Sequence, residues 1–446
     1  MTQKSSMSIL FLVVLVDMIG FGIIIPFLTY MVAGLAEPGQ PIGRWVAALM
    51  AAYAGAMFIF SPFWGSLSDR IGRRPVLMIG LVGNSIAFLV FGLANSLWMA
   101  LFARLFAGIV NANISVTRAY IGDISEPHEV ARRQGILGAA FGVGFSIGPA
   151  IGGVLSAPAD WTWTSAFVGT IFETYPYLLP CLASTLLSTV GFLLATTKLE
   201  ESLPKSTRKT VENRSPIQTL KTNIMNIGKM YKRPKLSPLL FSMLFFWIGF
   251  TIMHVVLILF TMMAVSEGGF GFSEKDNGWL FAFVGVVGII TQGRLIGPLS
   301  DRFGSSSLMA NGYLICGLGL ATIPYVPPHL GLLGLFPVMT LIAFGNGLVA
   351  PSNMTLLTHA SGSDERGMVM GVSESLRALS SFAGVMIGGF VWDATVDNTG
   401  FFDYHTAFLC CGIFSLFAWM RFRFSTAFRA EDEILAIDDA DVRVAS

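Results

Sequence analysis

An eight-residue pattern, G-x-L-S-D-R-x-G, occurs twice in this chain: as Gly65-Ser66-Leu67-Ser68-Asp69-Arg70-Ile71-Gly72 and as Gly297-Pro298-Leu299-Ser300-Asp301-Arg302-Phe303-Gly304. Each copy ends one long apolar run and stands just before another. A charged turn repeated once per half, between apolar segments, predicts two similar helical bundles in a single polypeptide. The rest of the composition says what solvent those bundles meet. Charged residues are 12% of the chain, about half the ~25% usual in a soluble domain. Hydrophobic residues reach 54% and mean hydropathy is +0.68, so most of the surface must face lipid.

A helix needs about 20 apolar residues to cross ~30 Å of hydrocarbon. Twelve segments qualify: 8–34, 45–68, 75–94, 97–120, 132–156, 175–197, 238–264, 277–298, 306–326, 332–358, 367–392 and 403–425. The predicted fold class is therefore an all-α membrane protein with 12 transmembrane helices in two pseudo-symmetric six-helix bundles. The N-terminal bundle takes residues 1–197, a hydrophilic linker 198–237, the C-terminal bundle 238–425 and a polar tail 426–446. The first run follows one basic residue, Lys4, and is too long for a signal-peptide core. It reads as a retained span.

Lys and Arg set the orientation. With a cytoplasmic N-terminus, the basic linker, both charged turns and the tail share the inner side. The outer side then holds only Arg44 and Lys275 against Glu37, Asp160, Glu173, Glu267, Glu274, Asp276, Asp393, Asp397 and Asp403. Both termini are expected inside. No N-x-[S/T] sequon falls in an outer loop, which fits a bacterial inner membrane. Cys181, Cys316, Cys410 and Cys411 lie in apolar runs without paired loop spacing, so neither a disulfide framework nor a metal site is indicated. The phosphate loop G-x-x-x-x-G-K-[S/T] is absent; Gly228-Lys229-Met230 lacks the upstream glycine and the hydroxyl. No cofactor, no catalytic residue and no nucleic-acid partner are expected. Internal duplication of this kind builds many secondary transporters.

Four motifs then carry a family resemblance: Gly65 to Pro75 at the first turn, Leu101-Phe-Ala-Arg104-Leu-Phe-Ala-Gly108 in span 4, Gly144-Phe-Ser-Ile-Gly148-Pro149-Ala-Ile-Gly152-Gly153 in span 5, and Asp17-Met-Ile-Gly20-Phe-Gly-Ile-Ile-Ile-Pro26 in span 1. Together they resemble the major facilitator superfamily, within it the twelve-span drug–proton antiporters that include the tetracycline exporters. The resemblance implies a monomer that exports a small organic substrate across the bilayer in exchange for protons. One departure stands out. Where that branch carries a histidine in span 8 and an aspartate in span 9, this chain has Gly288 and Cys316. Tyr175-Pro-Tyr-Leu-Leu-Pro180 is similar instead to plant and fungal relatives.

Single residues sharpen the expectation. Asp17 lies about nine residues into span 1, near mid-bilayer at ~1.5 Å per residue, where a carboxylate is costly to ionise. Its role is proton coupling or, more plainly, hydrogen-bonded packing. Arg104 lies ~10 Å from one end of span 4, too deep to face lipid. The resemblance makes it an aid to proton transfer or substrate binding; the alternative is a structural pair with Asp17 or span-1 carbonyls. Glu374 and Arg377 share a face of span 11, so Glu374 is either a second proton carrier or neutralised. A mostly apolar substrate cavity is expected from Phe21, Tyr53, Asn111, Asn113, Phe141, Phe145, Trp247, His254, Gln292, Asn346 and Asn353.

Gly65 and Gly72 are read as permitting close backbone approach, and Asp69 as accepting from helix-terminal amides. By resemblance the turn is a gating latch that includes Arg70, with Arg73 pairing Asp123 and with Glu126 and Arg133 adding a second contact. In the second copy Asp301 and Arg302 persist, while Ser305, Ser306 and Ser307 replace Arg73, Arg74 and Pro75. Gly144, Gly148 and Gly152 form a small-residue seam, kinked at Pro149. A membrane receptor or scaffold, and a carrier of an organic acid, remain the competing readings.

Overall fold

The computed structural model describes residues 3–111, 113–125, 130–203, 225, 227–361, 366–398 and 402–425, with side chains for all of these except 3–6, 62, 130–132, 134–139, 141, 366 and 367. Among the described residues there are helices and turns and no strand. This is what hydrocarbon demands, because backbone groups there must bond within their own segment. Ten described helices are long and apolar enough to span a membrane. One, Glu274–Tyr325, runs for 52 residues and turns at Gly304, where φ is 73° and ψ 154°; it supplies spans 8 and 9. The apolar helix Gly142–Leu155 supplies the described part of span 5. Twelve membrane-crossing segments result.

The chain divides into two compact units, Met1–Leu220 with Thr261–Val286, and Lys221–Phe260 with Val287–Ser446. In the first, span 1 (Gln3–Leu35) packs along span 5 (Val130–Leu155) at glycine contacts. A methyl group at Gly148 would stand 2.7 Å from the Ile19 carbonyl, and one at Gly152 would overlap the Ile23 carbonyl. Span 3 (Arg73–Gly92) packs on span 6 (Leu178–Lys198), with Gly92 set against Cys181. Leu10, Val13, Val14, Leu77, Leu81 and Tyr120 fill the core between them. The hairpin between spans 7 and 8 belongs to this unit too. Tyr30 donates to the Phe272 carbonyl at 2.5 Å and accepts from Asn277 at 2.8 Å, while Tyr177 donates to Glu274 at 2.9 Å.

The second unit repeats these pairings six spans later. Gly384 of span 11 (Arg366–Thr395) sits 2.6 Å, by its missing Cβ, from the Ile248 carbonyl of span 7 (Ser237–Met262). Gly317 of span 9 meets Ser415 of span 12 (His405–Arg423). Spans 1·5 and 3·6 therefore correspond to 7·11 and 9·12. The two charged turns agree at one backbone detail as well: Gly72 has φ 110° and Gly304 φ 73°, both in the region that only glycine enters cheaply.

Candidate functional site

Span 4 is two helices, Leu97–Val110 and Asn113–Ile124, separated at Asn111, whose φ −73° and ψ 85° leave the helical region. Asn side chains compete with the helix ladder for local backbone groups, and Val110-Asn111-Ala112-Asn113 places two of them at mid-span. Trp64 of span 2 donates its indole N–H to the Ile109 carbonyl at 2.5 Å, satisfying one acceptor next to the break. Interrupted backbone at this depth is tolerated only against protein or a polar cavity.

The cavity is there. Asp17 is 3% exposed. Its Oδ1 accepts from Asn84 Nδ2 at 2.7 Å and from Asn113 Nδ2 at 3.0 Å, while Oδ2 is buried without a hydrogen-bond partner. Arg104, 5% exposed, lays its guanidinium over the Tyr53 ring at 4.4 Å and near Phe91 at 5.9 Å, with its Nε unpartnered. Tyr53 Oη accepts from Asn111 Nδ2 at 2.5 Å, and Phe21 packs on the Tyr53 ring at 5.6 Å. Asp17, Tyr53, Asn84, Arg104 and Asn111 line one cavity of about 10 Å³, room for a single water. A carboxylate and a guanidinium thus share an enclosed polar site, without a direct ion pair among the described residues. Asn84 was not singled out from sequence. Its only signal is a neutral amide inside an otherwise apolar span.

The charged turn forms a second cluster. Arg73 Nη1 meets Asp69 Oδ1 and Ser68 Oγ, each at 2.6 Å, and its Nε donates to Asp123 Oδ2 at 2.9 Å. Ser202 also donates to Asp123, at 3.0 Å. Glu201 accepts from the backbone amides of Arg73 and Arg74 at 2.8 and 3.2 Å, so a carboxylate caps span 3 where its helix dipole favours one. Glu201 and Ser202 were expected only as linker. Asp69 is paired with Arg73. Among the described residues a side chain at Gly65 would meet nothing within 4 Å. Arg70 is exposed, and Arg133 closes its own loop on the Ile124 carbonyl at 2.8 Å. Glu126 lies outside the described residues. In the second copy Asp301 and Arg302 are exposed, Arg302 rests over Phe303 at 5.3 Å, and Ser300 and Ser305 stand 3.4 Å apart where the first copy has Ser68 and Arg73.

In the second unit, Arg377 grips Glu374 through Nη2 at 2.5 Å and Nε at 3.2 Å, and stacks over Trp247 at 5.4 Å. Phe250 packs edge-on against both Trp247 and His254. Gln292 is exposed in a π-turn, Thr291–Leu295. Asn346 and Asn353 are half-buried, each with its Oδ1 unpartnered, and Asn353 Nδ2 faces the Met243 sulfur at 3.3 Å. These three amides do not join the Trp247 group. In the first unit Phe145 is half-buried; the side chain of Phe141 is outside the described set.

The family model for the Major Facilitator Superfamily matches residues 10–385. The class B tetracycline resistance protein of Escherichia coli is 28% identical over 88% of this chain and 89% of its own. A probable peptide/nitrate transporter of Arabidopsis thaliana is 26% identical over 72% and 68% respectively. Among solved structures, the human organic anion transporter MFSD10 superposes with a TM-score of 0.68 at 19% identity, covering 95% of this chain and 100% of that one. That last likeness speaks for the fold alone. With the family model spanning most of the sequence and twelve apolar segments in two units, the chain belongs to the major facilitator superfamily and is a multi-pass membrane transporter.

Proposed function

We propose that this transporter is a proton-coupled antiporter that exports an amphipathic organic compound by alternating access. The observation that carries the reading is Asp17: one oxygen is held by two amides, the other is buried and unpartnered beside a one-water cavity shared with Arg104. A carboxylate arranged this way can take a proton on its open oxygen and return it through a single water, while Arg104 stabilises the ionised form through the cavity. The cavity is far below the ~300 Å³ of an organic-ligand pocket, so Asp17 serves the proton and the cargo binds elsewhere. The relatedness to tetracycline resistance proteins supports export.

The same reading gives the Arg73 cluster the role of a latch, places both termini and the linker on the cytoplasmic side, and sets the protein as a monomer in a bacterial inner membrane. The competing organic-acid reading draws on the unpartnered Arg104 Nε, but the space beside it admits only a water. The test is reconstitution in proteoliposomes. An imposed pH gradient should drive uptake of a lipophilic dye, and Asp17→Asn should abolish gradient-driven accumulation while leaving exchange in place. Undiminished pumping by Asp17→Asn would remove Asp17 from the mechanism.

A further inference from the structure

Glu374 and Arg377 are unusual for their depth. They lie in span 11, Arg366–Thr395, about 12 and 17 Å from the start of the helix at ~1.5 Å per residue. Their side chains are nonetheless 43% and 33% exposed. Two charges so exposed at that level cannot face hydrocarbon, so this face of span 11 looks onto an aqueous path. Trp247 stands about 15 Å into span 7 by the same rise, is half-buried, and lies under the Arg377 guanidinium at 5.4 Å. Phe250 and His254 extend its aromatic face along span 7.

Arg377 therefore occupies the position an organic cation would want, with a carboxylate at its edge and an indole face beneath it. We infer that Glu374 and Trp247 form the cargo-headgroup site of this transporter, that the cargo is an aromatic or lipophilic organic cation, and that Arg377 is a built-in competitor displaced when the cation binds. The inference rests on the export reading for direction of transport only. It assigns Glu374 to cargo and leaves the proton to Asp17. The division fits the two environments: Asp17 is buried beside a cavity with room for one water, whereas the Glu374 side chain is 43% exposed.

The test is equilibrium binding of tetraphenylphosphonium to the full-length protein in nanodiscs. Glu374→Gln should weaken binding at least tenfold and Glu374→Asp should restore most of it. Arg377→Gln should tighten it about three- to tenfold, because the competitor is gone. Trp247→Ala should weaken it and Trp247→Phe should stay within threefold of wild type. A merely structural ion pair predicts the same sign for Glu374→Gln and Arg377→Gln, and that result would overturn the site. So would absence of saturable binding by the wild type, or saturable binding of fluorescein that is lost in Arg377→Gln. If the signs hold but no pH gradient drives the cation in proteoliposomes, the antiport reading fails and the binding site stands.

Discussion

The Arg73 cluster permits a graded prediction, because its three partners differ in exposure. Arg73→Met keeps the side-chain stem and removes every charged contact. The Asp69 carboxylate is 37% exposed, so its ion pair is worth only about 0–1 kcal/mol after screening. Asp123 is 21% exposed and bonded at 2.9 Å, which places that charge-assisted bond at about 1.5–3 kcal/mol. Ser68, fully buried and 2.6 Å from Nη1, adds about 1 kcal/mol. Asp123 keeps its Ser202 partner and can rehydrate, so Arg73→Met should cost about 2–4 kcal/mol in all. Asp123→Asn should cost about 1–3 kcal/mol and Asp69→Asn less than about 1. Reversible unfolding of the purified protein in mixed micelles, followed by tryptophan fluorescence, gives the three values. If Asp69→Asn proved as costly as Asp123→Asn, burial would not be ranking these bonds. A cost for Arg73→Met within about 0.5 kcal/mol of zero, typical of an ordinary surface site, would refute the cluster's contribution altogether.

Three further outcomes are expected. Gly152→Ala should destabilise by about 1–3 kcal/mol, since its methyl would overlap a rigid backbone carbonyl; Gly144→Ala should also destabilise, by somewhat less, because its methyl would stand 2.5 Å from the Met18 Cβ rather than overlapping a carbonyl, and thermal unfolding would rank the two. Glu201→Gln should lower stability by about 0.5–1 kcal/mol by weakening the cap on span 3, with the loss shrinking in high salt; a salt-independent loss would contradict the electrostatic account. Asn84→Leu should impair gradient-driven uptake in proteoliposomes more than Asn346→Leu does, because Asn84 donates to Asp17 and Asn346 lies in the other unit, and equal defects would detach Asn84 from the proton site.

The membrane-crossing segments were legible because hydrocarbon imposes length and apolarity on every span alike. Asp17 and Arg104 were legible for the complementary reason: an ionisable residue inside such a span is costly and stands out. What stayed hidden were features that depend on which elements come together. Asn84 is a neutral amide whose importance lies in the 2.7 Å reach to a residue on another span. Glu201 looked like the start of a linker, yet the chain returns there to cap span 3. The interruption of span 4 left its trace only as Asn111 and Asn113, a pair readable equally as cavity lining.

The two charged turns show how much of the motif serves folding. Gly72 and Gly304 both take positive φ, so the backbone turn forms whether or not an arginine follows. Arg73 is therefore not what makes the turn. It gathers the end of span 2 at Ser68 and Asp69 and the end of span 4 at Asp123, while Ser202 and Glu201 tie the exit of span 6 to the same group. Among the described residues the second turn has a long contact between two neutral hydroxyls, 3.4 Å apart, in the place of Ser68 and Arg73, and neutral hydrogen bonds are roughly half as strong as charge-assisted ones. A junction held by charges resists separation, whereas one held by a single weak bond gives way at little cost. Under the antiport reading, the free-energy difference between the open and closed latch therefore resides mainly in the charged contacts of the first copy.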